Sequence, residues 1–289
     1  MVRCYERDTR VIGVDVGGSG VKAALVDVKR GELASVRPRI DTPQPATPKL
    51  VAATVSRLVD QLGGAPSIGI TVPAVVRSGI VRTAANIDPS WIGTDAQALF
   101  GEQLGVPCVV LNDADAAGLA EVRFGAGKGR SGVVILLTLG TGIGSALFVD
   151  GELVPNTELG HMEFKAQEAE HYAAASVRKA NNLGWDHWGT RVGEYLAMLT
   201  VLFSPELIIL GGGVSRKFDR FAEHVLAEVP SGTDVVPATL QNQAGIVGAA
   251  MSTQKHPSRN RPAAPLVPPV VPSSEEHSPV GARPGRRPR

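Results

Sequence analysis

The chain has 289 residues, 43% of them hydrophobic, and a net charge of +1. That length holds one large or two moderate domains, and no apolar run reaches the roughly 18 residues of a membrane span. The charged start MVRCYERDTR has no signal-peptide core, and Cys4 and Cys108 are too few for a disulfide framework or a Cys-rich zinc site, so a cytoplasmic protein with free thiols is expected.

In chain order, Val11–Val16 and Val21–Val28 read as strands joined by a turn at Gly17–Gly20. A Pro-rich loop (TPQPATP) leads to a helical pattern from Lys49 to Leu62, stopped by Gly63-Gly64. Ser67–Val72 and Val106–Leu111 are apolar strands, and Asn112-Asp113 opens an Ala-rich helix running to Phe124. After a glycine- and base-rich loop at Gly125–Gly132, a second glycine hairpin spans Ile135–Asp150. Helices are expected over Glu168–Ala180 and Asp186–Phe203, then a strand at Glu206–Leu210 feeding GGGVS, a helix over Lys217–Glu228 and a last helix over Ala244–Met251. From Thr253 onward the chain holds nine of its 21 prolines and seven Lys/Arg against two Glu, a composition that predicts a disordered tail. The preceding body is then mildly acidic, which argues against nucleic-acid binding.

The two hairpins share a plan: apolar strand, glycine turn, apolar strand, aspartate. At a constant offset of 123, Asp15 falls on Thr138, Gly17 on Gly140, Ala23 on Ala146, and Val26-Asp27 on Val149-Asp150. Strands and helices alternating twice over predict two α/β domains with mixed sheets around a cleft. The boundaries are residues 11–111 plus 241–252 for the smaller domain and 112–240 for the larger, with 1–10 and 253–289 as extensions. Ligands in such folds sit at the carboxyl ends of strands, where the glycine clusters and Asn112-Asp113 fall.

Within the first turn (Gly17, Gly18, Ser19, Gly20), glycines leave no side chain between backbone N–H groups and a phosphate. Asp15 beside it is placed to hold Mg²⁺ through water, and Lys22 offers a positive charge; the alternative is a tight hairpin whose aspartate satisfies turn amides. Thr138, Gly140, Thr141, Gly142 and Gly144 repeat the arrangement, so two turns in register point to a phosphate chain held between domains. Gly211, Gly212 and Gly213 suit a nucleotide's ribose and base, or a plain strand-to-helix turn.

Asp113, at a strand end facing the cleft, is where a general base for a sugar hydroxyl belongs; it is equally a helix cap, and Asp115 reads as a surface residue of the same helix. Asn86 and Asn112 read as hydrogen-bonding partners of sugar hydroxyls or as turn residues. Glu158 and His161, with Glu170 beyond, suit a polyol better than a metal, because the cysteines or second histidine of a four-ligand site are missing. Trp91 and Trp185 read as packing residues.

DVGGSGVK, LNDADAAG, LGTGIGSA, ELGH and GGGVS, in this order, resemble the ROK group of sugar kinases in the actin/hexokinase-like superfamily, over Val11 to Met251. TAANIDPSWIGT, NTELGHMEF and VVPATLQNQAGIVGAAM are similar to the actinobacterial polyphosphate glucokinases within that group. The resemblance implies a two-domain actin-like ATPase (ribonuclease H-like) fold and phosphorylation of glucose on its 6-hydroxyl from polyphosphate and/or ATP with Mg²⁺. It makes Asp113 the catalytic base, Asp15 to Lys22 and Gly140–Gly144 the phosphate sites, and Asn86, Asn112, Glu158, His161 and Glu170 the glucose ligands. It also implies that the last helix packs back on the first domain, and it carries a homodimer as a family expectation.

Two departures stand out. The Cys-rich zinc loop of many ROK kinases reads MEFKAQEAEHYAA here, so no zinc site is expected and His161 is left to the sugar. The Pro-Gly of the sugar-side loop reads Pro73-Ala74, a methyl where backbone approaches sugar. Polyphosphate also needs a basic track, for which Lys128, Arg130, Arg216 and Lys217 are candidates. The alternatives are an ATP-dependent hexokinase of broader sugar range and, remotely, an actin-like scaffold ATPase, which has no use for the sugar constellation. A ROK-type repressor needs an N-terminal winged helix, and only ten residues precede the first strand here.

Overall fold

Strand β1 (Arg10–Val16) is buried on both faces, which only a central strand can be. In the computed structural model, which describes residues 10–85 and 87–254, it pairs antiparallel with β2 (Val21–Asp27). The short strands β3 (Glu32–Leu33) and β4 (Arg39–Ile40) both pair with β2. Helix α1 (Pro48–Gln61) carries the chain to β5 (Ile68–Val72), parallel to β1. A small hairpin, β6 (Val76–Arg77) and β7 (Ile80–Val81), and helix α2 (Ala96–Leu104) precede β8 (Cys108–Asn112), parallel to β5. Helix α1 buries Val51, Val55, Leu58 and Val59 against this sheet, each side chain stabilising the fold by about 1.5–3 kcal/mol.

Helix α3 (Asp113–Phe124) leads into the second sheet. There β9 (Val133–Leu139) pairs antiparallel with β10 (Ile143–Val149), which pairs with β11 (Glu152–Val154). A two-stranded ribbon, β12 (Glu163–Phe164) with β13 (Gln167–Glu168), is followed by α4 (Ala169–Ala173), α5 (Ala175–Ala180) and α6 (Trp185–Phe203). Strand β14 (Leu207–Gly211) then lies parallel to β9, and after α7 (Ala222–Glu228) β15 (Asp234–Pro237) lies parallel to β14. Each sheet is thus an antiparallel hairpin extended by two parallel strands: β2-β1-β5-β8 in one, β10-β9-β14-β15 in the other.

The last helix, α8 (Ala244–Ser252), packs on the first sheet and on α3. Its small residues permit the approach: a Cβ on Gly13 or Gly69 would collide with the carbonyls of Ile246 or Ala249, and one on Gly248 with that of Ala116. Between the sheets, Val11, Ala24 and Val26 share one core with Ala120, Leu136, Phe148, Ile246 and Val247. The buried carboxylate of Glu121 on α3 accepts from Leu240 N (2.6 Å), Thr239 N (3.1 Å) and Ala126 N (2.9 Å), tying the loop before α8 to α3.

The hairpin repeat needs one correction. Val16 pairs with Val21 across a four-residue turn, whereas Leu139 pairs with Ile143 across three. The return strands therefore correspond at an offset one smaller than expected: Ala24, not Ala23, is the counterpart of Ala146, and Val26 that of Phe148. Their burial patterns agree on that register, since a one-residue slip would turn every side chain to the wrong face.

Two expected helices are broken. The 168–180 helix divides at Ala174, which is extended (ψ 155) because the Trp188 indole N–H takes the carbonyls of Ala173 and Ala174. The 217–228 helix is a 3-10 segment over Gly213–Arg220 followed by α7; the break sends Phe221 into the core against Trp188, 4.8 Å between centroids. Sequence reading missed α2 although its signals are present, with Asp95 capping Ala98 N at 2.9 Å and Gly105 ending it at φ +68. No described helix is long and apolar enough to cross a membrane. The tail from 255 onward and residues 1–9 lie outside the described residues.

Candidate active site

A cavity of about 310 Å³ opens where the two hairpins and the start of α3 meet. Gly17 and Gly18 line it from the first turn, Thr138 and Gly140–Gly144 from the second, with Asn112, Asp113, Glu158, His161 and Glu170. Asp15 and Lys22 stand behind the first turn, and Ser19 and Gly20 complete that turn without lining the cavity. Asn86 lies outside the described residues.

The carboxamide of Asn112, not the carboxylate of Asp113, is the principal cap of α3. Its Oδ1 accepts from Ala114 N (2.8 Å) and Asp115 N (3.0 Å), and its Nδ2 donates to Ala74 O (3.2 Å). Only one N–H of Asn112 remains for a ligand. Asp113 accepts once, from Ala114 N at 2.9 Å, and presents the rest of its carboxylate to the cavity. Burial pushes its pKa up to about 7, helped by the negative charge of Asp15 and, more weakly, Glu158, and opposed by the Ala114 amide. Such a carboxyl is a proton acceptor poised near neutrality. Asp115 is not a surface residue: it is 2% exposed, and its Oδ2 accepts from Asn156 N at 2.8 Å. Asn156 in turn holds Val76 through both its amide groups, which ties the β6–β7 hairpin to α3 by way of Asp115.

Asp15, next to last in β1, faces Lys22 across the hairpin, with Nζ 3.3 Å from Oδ2; the Thr71 hydroxyl donates to Oδ1 at 3.3 Å. Its oxygens suit a hard cation held together with donor phosphates. Arg39, which sequence reading missed, donates to Ser19 O at 2.7 Å and lies over Gly20, where a Cβ would strike its guanidinium. In the second turn, Ser176 at the start of α5 donates to the carbonyls of Gly140 and Thr141. Among the described residues, the amides of Gly18 and Ser19 in one turn and of Thr141 and Gly142 in the other have no protein acceptor. Both turns therefore offer the N–H groups that oxyanions need.

On the far wall, Glu158 precedes the 3-10 turn Leu159–His161. His161 Nε2 lies 3.7 Å from Glu158, and its Nδ1 lies 3.1 Å from Glu168 Oε2 and 4.0 Å from Glu170. Burial disfavours the imidazolium, but the Glu168 hydrogen bond and the surrounding carboxylates outweigh it, so the His161 pKa is raised. Burial raises that of Glu158, against the pull of His161. Glu170 reaches the second hairpin, its Oε2 accepting from Ile143 N at 3.1 Å. The ligand-type atoms of His161, Glu168 and Glu170 lie within 4.8 Å of one another. That trio is one donor short of a closed zinc site and has no thiolate, and the His161–Glu168 contact has hydrogen-bond geometry. Glu168 escaped the sequence reading because one acid in an acidic loop carries no signal.

Gly211–Gly213 lie apart from this cavity. Gly212 adopts φ +80, and a Cβ there would meet the Leu139 backbone, so the residue must be glycine. Gly213 opens a second cavity of about 730 Å³ that shares Gly140 and Thr141 with the first. Arg130 is ion-paired with Asp234 and, with Gly127 and Gly129, faces a different hollow, whereas Arg216 and Lys217 line the second cavity. Trp91 is fully buried; Trp185 is half-buried and forms a wall of the second cavity.

The sequence profile of the ROK family matches residues 11–175 and 163–256. The polyphosphate glucokinase of Mycobacterium tuberculosis (strain CDC 1551 / Oshkosh) is 50% identical over 242 residues, covering 83% of this chain and 90% of that protein. Among solved structures, the inorganic polyphosphate/ATP-glucomannokinase from Arthrobacter sp. strain KM is 46% identical with a TM-score of 0.80, covering 86% of this chain and 100% of that one. A ROK family glucokinase from Streptomyces griseus, in complex with glucose and AMPPNP, is 27% identical with a TM-score of 0.72 over 83% of this chain and 98% of that one.

Proposed function

The chain belongs to the ROK family, and we propose that it is a cytoplasmic glucokinase that transfers the terminal phosphoryl group of inorganic polyphosphate or ATP to the 6-hydroxyl of glucose. The observation that carries this reading is the position of Asp113. A carboxyl with a pKa of about 7 lies in one cavity with two glycine turns on one side and the Glu158, His161 and Glu170 cluster on the other.

Glucose hydroxyls are donors and acceptors at once, so two carboxylates and an imidazole, with the remaining N–H of Asn112, can fix the ring and aim O6 at Asp113. Asp113 Oδ takes the O6 proton as O6 attacks the terminal phosphorus. The P–O bond to the next phosphate breaks, leaving glucose 6-phosphate and either ADP or a polyphosphate shortened by one unit. Free amides of both turns, with Lys22 and Arg39 behind the first, stabilise charge spread over the transferring group. Mg²⁺ bound together with the donor would supply further neutralisation, and the Asp15 carboxylate is the residue that would help to hold it.

Residues 11–111 with 241–252, and residues 112–240, are proposed as the two domains, closing over the cavity to exclude water that would otherwise take the phosphoryl group. The reading is tested by coupling glucose 6-phosphate formation to a dehydrogenase with long-chain polyphosphate and with ATP, each with and without Mg²⁺. Mannose belongs in the acceptor panel, since the Arthrobacter relative is a glucomannokinase by name. Glucose-dependent turnover with at least one donor is expected; turnover with neither overturns the reading.

A further inference from the structure

Two neighbouring residues of α6 anchor the wall of the cavity that carries His161. Tyr195 donates its hydroxyl to Leu159 O at 3.0 Å, holding the 3-10 turn that ends in His161. Glu194 accepts from the Tyr172 hydroxyl at 2.6 Å and pairs with Lys165, between the strands of the β12–β13 ribbon. Phe164 packs on both tyrosine rings, with centroids 5.5 Å from Tyr172 and 6.0 Å from Tyr195. The ribbon pairs only Glu163 with Glu168 and Phe164 with Gln167, so these anchors fix where it lies.

The ribbon presents Glu168 to the imidazole, with Oε2 3.1 Å from His161 Nδ1. The other two carboxylates around the ring are engaged differently. Glu170 is 4.0 Å from Nδ1 and accepts from Ile143 N, whereas Glu158 is 3.7 Å from Nε2 and lines the cavity. Neither is within hydrogen-bond reach of the imidazole. A carboxylate can only accept, so Nδ1 carries a proton toward Glu168 and Nε2 is left on the side of Glu158 and the cavity. His161 lines that cavity and Glu168 does not. With side chains 37% and 45% exposed, the pair adds little to folding stability. Its consequence lies in where the ring points.

We infer that Glu168 is a positioning residue for the sugar acceptor: it holds the Nδ1–H of His161 and so fixes the ring with Nε2 aimed at a glucose hydroxyl. Glu168 thereby sets glucose affinity without touching the sugar. Released from it, the ring can turn about χ2 and its proton can sit on either nitrogen. The inference deepens the glucokinase reading and rests on it.

The test uses the full chain with Glu168→Ala and, to keep the shape of the side chain, Glu168→Gln. KM for glucose is expected to rise about tenfold in Glu168→Ala, the usual worth of a hydrogen bond to a charged group. The rise should be smaller in Glu168→Gln, whose carbonyl still accepts. In both, kcat, KM for the donor and the melting temperature without glucose should stay near wild type. Two further readouts separate positioning from a merely structural role. In a His161→Asn background, Glu168→Ala should add no further rise, because both changes act through one imidazole. The His161 titration, followed by NMR of the ring, should move to lower pH in Glu168→Gln. Burial opposes the imidazolium, and the Glu168 hydrogen bond leads the causes that outweigh it, ahead of the charges of Glu170, Glu158 and Glu168 itself. An unchanged KM for glucose in Glu168→Ala, additive losses in the double variant, an unmoved titration or a lowered melting temperature in both variants would each overturn the inference and leave a glucokinase. A wild type that neither binds nor phosphorylates glucose overturns the glucokinase reading, and this inference with it.

Discussion

The two glycine hairpins share a strand plan, differ by one residue in their turns and have opposite chemistry. Both consist of seven-residue strands with matching burial, and both turns keep amides free. At the base of the first, Asp15 and Lys22 pair across the strands as opposite charges, with Arg39 over the turn. At the corresponding place in the second stand Thr138 and Gly144, which carry no charge. Among the described residues, the carboxylate that touches that turn is Glu170, brought in from the start of α4 to Ile143 N. Under the proposed function the repeated part would bind oxyanions through backbone, and the diverged part would sort the work: charge management at the first hairpin, a link from donor to acceptor at the second.

Asp113, between the two, gives the largest expected effect. Asp113→Asn should fold and bind glucose yet lose about 10²–10⁴-fold in kcat, the share of a general base. Turnover near that of the wild type would remove it from the mechanism. The same variant has a stability signature. A folded pKa of about 7 against an ordinary aspartate value of 3.8 means that the fold disfavours the carboxylate. The stability that protonated Asp113 retains is present below pH 4 and is lost as pH rises to 7. Asparagine should therefore stabilise the protein relative to wild type by an amount that grows over that window and levels off above it, on the order of a few kcal/mol. Denaturant melts at pH 4.5 and 8 read this directly; a variant destabilised at pH 8 contradicts the buried-carboxyl picture.

Asp15→Asn tests the charged hairpin and comes next. A loss of about 10–100-fold in kcat/KM is expected if Asp15 has the proposed Coulombic and metal-holding role. A displaced pH profile should accompany it. Wild-type kcat/KM should rise with pH through about 7 as Asp113 loses its proton. Because the Asp15 charge helps to raise that pKa, its removal should move the acidic limb to lower pH. A limb that stays in place would mean that the hairpins do not communicate through Asp113.

Much of this was legible in the sequence, and the failures have physical causes. Hairpins, α1, α3, α6 and α8 announce themselves through glycine turns and apolar periodicity, which are local signals. The breaks at Ala174 and before Phe221 both meet Trp188 on α6, 14 residues after the one and 33 before the other, and no pattern within either helix records that. At the site, Asp113, Glu158, His161 and Glu170 carried their own motif spacing. Asp115 was misread because its partner, Asn156, is 41 residues away. Arg39 and Glu168 were missed because they act on a turn and an imidazole from segments with no pattern of their own. The shortened second turn was hidden because glycine-rich stretches align about as well at either offset.

The finest comparison lies within the second turn. A Cβ on Gly140 would meet nothing within 4 Å, whereas one on Gly142 would collide with Glu170 Oε2. Neither residue has the positive φ that would strain alanine on its own account. Gly142→Ala should push Glu170 off Ile143 N and raise KM for glucose several-fold, together with a small loss of thermal stability. Gly140→Ala should leave melting unchanged without ligand, since no protein atom lies within 4 Å of the added methyl. If a phosphate approaches that turn along its amides, the same methyl must crowd it, and KM for the donor should rise about threefold to tenfold while KM for glucose stays put. Contact with a ligand, rather than with protein, is then the one available cause of the change. A Gly140→Ala protein with unaltered donor kinetics would show that the second hairpin serves the sugar through Glu170 alone, leaving the phosphates to the first.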